Sequence, residues 1–291
     1  MMPNLKRLAL PLLRLLSLLV LASLGTVLLV RCAPGYFSSA QEMDAEHGTG
    51  ARTGIQAQQD REGTPLQAWL HLSRGLLHGD PGRSHQYDLP VSTLLLPRLQ
   101  VTGRLLLPVV VIAPLLALLF ALPCSQMRAP LLERAVAAAT LLGIAVPLSV
   151  LASVCLLRGS GGPAVVLLSV VAARDFRFFT RLLRRQSQAP YLLYARAAGM
   201  PPLRAVLQGV LRPLQGELLS LVALSFVTAL GGLLPVEVIF GVPGVGQMAW
   251  NAAMNRDLPV LLAVTLLMAL GMGLANLLAN RTVLQTGAVT A

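Results

Sequence analysis

Residues 191–213 read YLLYARAAGMPPLRAVLQGVLRP, and this stretch decides how the rest of the chain is organised. Gly199 can adopt the left-handed conformation that closes a helix, and Pro201 and Pro202 suit the first turn of a second helix. The apolar residues that follow recur at helical spacing on one face: Leu203, Val206, Leu207, Val210 and Leu211. The stretch, which we call the 190–213 loop, therefore predicts a short helix–glycine–helix unit between two apolar segments.

The composition of the chain is that of a membrane protein. Hydrophobic residues make up 55% of it and charged residues 12%, against about 25% charged residues in soluble domains. The net charge of +11 does not indicate nucleic-acid binding, because most of the arginines flank apolar segments. The three cysteines, Cys32, Cys124 and Cys155, match neither a disulfide framework nor a metal motif, so we expect small apolar packing residues.

Six apolar segments predict an all-α, polytopic membrane protein with about six transmembrane helices. The predicted spans are 12–30, 105–122, 135–157, 163–179, 214–234 and 260–279. The chain is divided into an N-terminal anchor (1–30), an extracytoplasmic loop region (31–98), a transmembrane core (99–281) and a C-terminal tail (282–291). We expect the anchor to be retained, because no small-x-small cleavage site follows it.

The distribution of basic residues predicts the orientation of these spans. If both termini lie in the cytoplasm, the cytoplasmic segments hold 14 of the 23 Lys and Arg residues. The two short outer connections then carry only Arg158 and Arg256. The 190–213 loop is therefore predicted to be cytoplasmic, and the connection between the last two spans is predicted to lie outside.

That outer connection, which we call the 235–259 hairpin, reads PVEVIFGVPGVGQMAWNAAMNRDLP. Its turn-forming residues predict a tight, preset bend: Gly241, Pro243, Gly244 and Gly246. The residues after the bend place one apolar face on a short helix: Val245, Met248, Ala249 and Ala252. A defined re-entrant or interfacial structure is favoured; the alternative is an ordinary interfacial loop with Trp250 at the headgroup level.

Polar residues outside the 190–213 loop and the 235–259 hairpin give no sign of catalysis or metal binding. The histidines, His47, His71, His78 and His85, lie in the extracytoplasmic loop region without i, i+3 or i+4 spacing, so we expect solvated loop residues. The sequence contains no P-loop, no Gly-x-Ser-x-Gly and no His-Glu-x-x-His motif. These observations predict a chain that is not an enzyme and binds no cofactor or metal, so that another subunit supplies any ATP-driven work.

Few acidic residues accompany the predicted spans. Asp175 and Glu217 are expected near cytoplasmic span ends, with Asp175 where the fourth span leaves the lipid, and Glu237 just outside the fifth span. A proton- or sodium-coupled carrier usually keeps buried charges or broken helices at the middle of the membrane. The scarcity of such charges weakens the secondary-carrier hypothesis.

Two segments resemble the diagnostic segments of ABC importer inner-membrane permease subunits, more narrowly of the dipeptide/oligopeptide/nickel branch. YARAAG at 194–199, followed by Leu211 and Arg212, resembles the EAA loop of that branch. EVIFGVPGVG at 237–246, followed by NRDLP at 255–259, resembles its outer loop. Residues 31–37 and 79–84 also resemble the first outer loop of the family. The two motifs stand in the family order, which makes the resemblance specific.

This resemblance implies ATP-driven import by alternating access. The EAA loop would form a coupling helix that docks on a cytoplasmic ATPase subunit. Closure of two ATPase subunits on ATP would rock two homologous permease subunits, and an extracytoplasmic substrate-binding protein would deliver the solute. The implied setting is the lipid of a bacterial-type inner (plasma) membrane. The implied substrate is a peptide or another small solute, and nucleic acid is not an expected partner.

The resemblance assigns residues to two sites and no residue to catalysis, cofactor binding or metal binding. The ATPase-coupling residues are Tyr191, Tyr194, Ala195, Arg196, Ala197, Gly199, Leu203, Arg204, Leu207 and Arg212. The outer-gate residues are Glu237, Phe240, Gly241, Pro243, Gly244, Gly246, Asn255, Asp257 and Pro259.

The chain departs from the family pattern inside the 190–213 loop. Leu193 stands where the family has an acidic residue, and Ala198 stands where a lysine is common. Both departures remove charge from the implied docking helix. Docking would then depend on shape, on Arg196 and on apolar contact by Tyr191 and Tyr194, or the partner ATPase has changed in step, or coupling is weak.

Three other classes of protein are alternatives to an importer permease. A stand-alone secondary carrier or channel would transport without an ATPase subunit. A non-transporting membrane scaffold or sensor would use the extracytoplasmic loop region as its working part. A membrane-embedded enzyme is the poorest of these, because no nucleophile–base constellation is present.

Overall fold

The computed structural model of the chain describes residues 3–32, 64–126, 145–187 and 215–287, with the isolated positions 138, 140, 141, 143 and 199. Within these ranges the regular elements are α-helices, and strand-like pairing is limited to a single bridge between Arg83 and Pro90. The helices are α1 Pro3–Cys32, α2 Pro65–Leu77, α3 Val91–Gln126, α4 Leu148–Leu157, α5 Pro163–Ser187, α6 Gln215–Phe240, α7 Val245–Met254 and α8 Leu258–Gly287. The predicted all-α class is confirmed.

Four of the helices are long and apolar enough to cross a membrane, judged by length and composition. The apolar segments are Pro11–Arg31 in α1, Val91–Cys124 in α3, Glu217–Phe240 in α6 and Leu258–Ala279 in α8. These segments contain the first, second and sixth predicted spans, and residues 217–234 of the fifth. The helix α5 is less apolar because Arg174, Asp175 and Arg177 lie in its middle. The shorter α4 is also apolar.

Several helix bounds differ from the predicted ones. The helix α3 begins at Val91, before the predicted boundary between the loop region and the core at residues 98 and 99. The predicted span 135–157 is interrupted at Val146 and Pro147, after which α4 begins. The interruption follows from the fixed φ and missing N–H of proline, which also disfavours helical geometry in the preceding residue.

The helix α6 continues past the predicted span end at residue 234 and through Pro235 to Phe240. The expected position of Glu237, just outside the span, is therefore wrong. Glu237 lies in the last turn of α6, and its side chain is fully buried. The helix can continue because residues 236–240 are mainly apolar, and Glu237 is the one charged side chain among them.

The described chain divides into two compact units, of which the first contains Met1–Gln100 and Pro243–Gly273. One core of this unit packs the start of α3 against α7 and α8, with Val91, Val245, Met248, Ala252, Val260, Ala263 and Val264 buried. A second core joins α1, α2 and α8 around Val27, Leu258 and Leu262. Trp69 of α2 packs on this second core and donates its Nε1 hydrogen to Ser23 Oγ at 2.9 Å.

The second unit contains Val101–Val242 and Leu274–Ala291. Its core joins α3, α5 and α6 through Ala117, Ala121, Phe176, Phe179, Leu182, Leu183 and Leu221. The helix α6 also approaches α4 and α5 closely at Gly232. A Cβ atom at this glycine would lie 2.6 Å from Leu148 Cδ2 and 2.9 Å from Leu167 Cδ1. Small residues allow membrane helices to approach in this way.

A branched side chain at Gly232 should weaken the packing of α6 on α4 and α5. We expect Gly232→Val to lower the free energy of unfolding by about 1–3 kcal/mol, as overpacking does. Gly231→Val is the matched control, because no atom lies within 4 Å of a Cβ at Gly231. Thermal unfolding of both variants in detergent measures the difference. Equal unfolding temperatures for the two variants would contradict the packing at Gly232.

Candidate functional site

Most residues assigned to ATPase coupling lie outside the described residues: Tyr191, Tyr194, Ala195, Arg196, Ala197, Leu203, Arg204, Leu207 and Arg212. The exception is Gly199, which is exposed and has a φ of +76°. This is the left-handed conformation that the sequence predicts for it. The coupling role of the 190–213 loop stays a prediction.

The part of the 235–259 hairpin in the second unit ends α6 with a glycine. Gly241 has a φ of +65°, and its N–H donates to Val238 O at 3.3 Å. The N–H of Val242 donates to Glu237 O at 2.9 Å. These two bonds form a Schellman motif, in which a left-handed residue satisfies the last carbonyls of a helix. Phe240 is the last residue of α6, and the predicted bend at Gly241 is confirmed.

The part of the hairpin in the first unit contains α7, which follows Pro243 and begins after Gly244. The buried residues of α7 are Val245, Gly246, Met248 and Ala252. Of the four residues predicted to form its apolar face, Val245, Met248 and Ala252 are buried and Ala249 is partly buried. Asn255 caps the C-terminal end of α7. Trp250 is 43% exposed.

A second Schellman motif follows α7, with an arginine in the left-handed position. Arg256 has a φ of +54°, an uncommon conformation for a residue with a Cβ atom. The N–H of Asp257 donates to Ala252 O at 2.8 Å, and that of Arg256 donates to Ala253 O at 3.4 Å. Asp257 O then accepts the N–H of Leu261 at 2.9 Å, and Pro259 occupies the first turn of α8. The backbone around Asp257 is thus fixed on both sides.

The side chain of Asp257 is buried and accepts three hydrogen bonds from one loop. The donors are the hydroxyl of Ser84, the N–H of His85 at 3.2 Å and the N–H of Gln86 at 3.3 Å. Ser84 Oγ in turn accepts the N–H of Tyr87 at 3.1 Å. Hydrogen bonds to an ionised acceptor are roughly twice as strong as neutral ones. The carboxylate therefore holds residues 84–87 against the start of α8.

The loop that Asp257 holds is closed by its own backbone, and we call residues 82–91 the 82–91 loop. Ser84 N–H donates to Leu89 O at 2.9 Å, and Val91 N–H donates to Gly82 O at 3.0 Å. Gly82 has a φ of +81°, and a Cβ there would lie 3.7 Å from Pro259 Cβ. This arrangement fixes the loop and leaves the side chains of Tyr87 and Leu89 exposed.

Glu237, the other acidic residue of the predicted gate, also has a hydroxyl partner. Thr102 Oγ1 of α3 donates to Glu237 Oε1 at 2.7 Å, and both side chains are buried. The contact joins the last turn of α6 to α3 within the second unit. Sequence reasoning identified Glu237 and Asp257 but not their partners Thr102 and Ser84. The only signal for Ser84 was its place in the segment 79–84 that resembles a family loop.

A third acidic side chain has an environment that the sequence did not predict. Asp175 is fully buried. Its Oδ2 accepts the hydroxyl of Ser225 on α6 at 2.6 Å. The neighbouring Arg174 donates from Nη1 to Leu224 O at 3.2 Å. The burial follows from the position of Asp175 on the same helical face as Phe179 and Leu183, which packs on α6.

Four described helices are long and apolar enough to cross a membrane, and the described residues contain no cluster of three His, Cys, Asp or Glu side chains suited to a metal. The family described as "binding-protein-dependent transport system inner membrane component" matches residues 101–283. The match covers more than half of the chain, and the chain therefore belongs to this family. It is a multi-pass inner-membrane protein.

Individual relatives have related names. The chain is 38% identical over 77 residues to the oligopeptide transport system permease protein OppB of Escherichia coli (strain K12), covering 26% of this chain and 25% of OppB. It is 33% identical over 118 residues to the metal-staphylopine import system permease protein CntB of Staphylococcus aureus (strain NCTC 8325 / PS 47). This match covers 40% of this chain and 38% of CntB. It is 24% identical over 244 residues to a probable peptide ABC transporter permease protein, y4tP of Sinorhizobium fredii. This match covers 75% of this chain and 78% of y4tP. The matched region thus spans about a quarter of the length of OppB.

Replacing Asp257 by asparagine should loosen the 82–91 loop. The amide removes the charge, and its NH₂ group stands where a carboxylate oxygen accepted a hydrogen bond. Leaving a buried polar group unsatisfied in this way costs about 1–3 kcal/mol. We expect trypsin to cleave faster after the exposed Arg83 in Asp257→Asn than in the wild type. Asp88→Asn makes the same chemical change at an exposed position of the same loop and should leave the cleavage rate unchanged. An unchanged rate in Asp257→Asn would show that the carboxylate does not hold the loop.

Proposed function

We propose that the chain is the permease subunit of an ATP-driven ABC importer and forms half of a translocation path that works by alternating access. The observation that carries this proposal is the family match over residues 101–283, which includes the 190–213 loop and the 235–259 hairpin. The names of the relatives add support, since each describes a permease protein of a transport or import system.

The proposed substrate is a peptide or a similar small solute. OppB is named for oligopeptide transport, and the Sinorhizobium relative is named as a peptide permease. CntB, which is named for a metal–staphylopine complex, supports the wider description as a small solute. The importer would take its solute from an extracytoplasmic substrate-binding protein, as the family description suggests.

The energy for transport would come from two cytoplasmic ATPase subunits, and a second homologous permease subunit would complete the path. This chain would then bind no cofactor and catalyse no reaction, while its partners bind and hydrolyse ATP. Both termini and the 190–213 loop would face the cytoplasm, a placement supported by the arginines that flank the loop. The left-handed Gly199 supports a helix break in the middle of the docking segment.

The proposed gate contains the 235–259 hairpin on the outer side. Its two parts are each held by a carboxyl group that a hydroxyl from a distant segment satisfies: Glu237 by Thr102, and Asp257 by Ser84. A gate must keep its shape while it meets solute and the binding protein. Buried hydrogen bonds of this kind give such rigidity when they are satisfied.

The coupling role of the 190–213 loop can be tested with a matched pair of glycine variants. Gly199 and Gly159 both have positive φ values, +76° and +61°, and no atom lies within 4 Å of a Cβ at either position. Valine is strained in this conformation, so the backbone penalty is comparable at the two positions. Gly159 lies in the connection between α4 and α5, which is predicted to be on the opposite side of the membrane.

We expect Gly199→Val to reduce co-purification with the ATPase subunits and ATP-dependent peptide uptake by about tenfold, because a misplaced docking helix loses on the order of 1.4 kcal/mol of binding free energy. Gly159→Val should retain both at the wild-type level. The measurements are affinity purification from native membranes and uptake of a labelled oligopeptide mixture into proteoliposomes. Uptake by the purified chain without any ATPase subunit would contradict the proposal and favour a stand-alone carrier or channel.

A further inference from the structure

The helices α5 and α6 are consecutive described helices, separated in the chain by the 190–213 loop and its flanking residues. The helix α5 ends at Ser187 before the loop, and α6 begins at Gln215 after it. The covalent chain therefore transmits a displacement of the loop into these two helices. How α5 and α6 are joined decides whether they move together.

Two polar contacts join these helices at the same level. The hydroxyl of Ser225 on α6 lies 2.6 Å from Asp175 Oδ2 on α5, and both residues are fully buried. Arg174, the neighbour of Asp175, donates from Nη1 to the carbonyl oxygen of Leu224 at 3.2 Å. Two consecutive residues of α5 thus bond two consecutive residues of α6.

An apolar cluster lies between these polar contacts and the ends of the helices that adjoin the loop. In this cluster one face of α5 packs in a single core with Leu221 of α6, and Leu218 lies beside it. The α5 residues of the core are Phe176, Phe179, Leu182 and Leu183. From Asp175 to Ser187 the rise of an α-helix gives a length of about 18 Å. The two helices are therefore in contact over much of the distance from the polar contacts towards the loop.

A contribution to the stability of this helix pair does not explain why an aspartate stands at position 175. Its second carboxyl oxygen, Oδ1, is buried and has no hydrogen-bond partner. A carboxyl group with one satisfied oxygen is a poor source of stability, and apolar residues of similar volume often hold a buried site as well or better. An ionisable residue buried in a membrane protein is more often retained for function.

The two kinds of contact constrain helix motion differently. Apolar contact is non-directional, so a slide by one helical turn can replace one set of apolar contacts by another. A hydrogen bond has a preferred length and angle, so it fixes the register of the two helices. A slide by one helical turn would leave Asp175 without its Ser225 partner inside an apolar core. The polar contact therefore adds to the packing of the cluster a restraint that a second register does not satisfy.

We propose that the Asp175–Ser225 contact makes α5 and α6 move as one body when the 190–213 loop is displaced, and so couples ATP hydrolysis to opening of the translocation path. Asp175 is a positioning residue in this proposal and touches neither solute nor ATP. The inference rests on the proposed function and adds to it the place where the movement of the loop enters the transmembrane helices.

The test uses the complete importer in proteoliposomes and measures ATP hydrolysed per oligopeptide taken up. In Asp175→Leu and in Ser225→Ala we expect hydrolysis to persist and this ratio to rise about fivefold or more, the lower range of coupling between linked sites. Asp175→Asn should keep the wild-type ratio, because its amide oxygen still accepts the hydroxyl hydrogen of Ser225. A purely structural role would lower uptake and hydrolysis together and leave the ratio unchanged.

Thr180→Val is the matched control on α5. The hydroxyl of Thr180 donates to Phe176 O of its own helix at 2.8 Å, and this carbonyl takes no part in the polar contacts between α5 and α6. This variant should keep the wild-type ratio. Should Asp175→Leu fail to assemble, Ser225→Ala tests the same contact from the other helix with the loss of a single oxygen atom.

The outcomes separate this inference from the proposed function. A wild-type complex that couples uptake to ATP, with an unchanged ratio in Ser225→Ala or in an assembled Asp175→Leu complex, overturns the positioning role of Asp175 alone. An equal rise of the ratio in Thr180→Val also overturns it, because the effect would not be specific to the contact between α5 and α6. A wild-type complex that takes up peptide without ATP overturns the proposed function and this inference together.

Discussion

The buried carboxylate of Asp257 is the interaction on which the architecture of the first unit depends. It accepts a hydroxyl and two backbone N–H groups from residues 84–86, while its own backbone joins the end of α7 to the start of α8. A buried carboxylate without such partners would be strongly destabilising, so the donors and the acceptor require one another. This mutual requirement explains how the short 82–91 loop keeps a defined shape although most of its side chains are exposed.

The same chemistry recurs at two positions in the second unit. Glu237 accepts the hydroxyl of Thr102, and Asp175 accepts that of Ser225. In each case a carboxyl group and a hydroxyl group come from segments far apart in the chain. Apolar packing accounts for most of the burial in both units, but it permits many small displacements of one helix against another. The carboxyl–hydroxyl contacts select one arrangement from among these.

The helix positions were predicted well where local hydropathy determines them. They were predicted poorly where contacts between distant segments of the chain determine them. The apolar spans in α1, α3, α6 and α8 and the glycine turn at Gly241 follow from local composition and turn chemistry. The start of α3 at Val91 was missed because residues 91–99 of that helix are held by packing against α7 and α8. The partners Ser84, Thr102 and Ser225 carry no local signal, since serine and threonine are equally at home on a surface.

The contact between Asp175 and Ser225 is unequal, because only one of its two side chains has a second hydrogen-bond partner. Ser225 Oγ lies 2.8 Å from Leu221 O on its own helix, so its hydroxyl keeps an acceptor if Asp175 withdraws. Asp175 has no second hydrogen-bond partner among the described residues and loses its only hydrogen bond. Most of the penalty for breaking this hydrogen bond therefore falls on the carboxyl group. The contact resists separation chiefly from the α5 side, where the carboxyl group would remain buried without a donor.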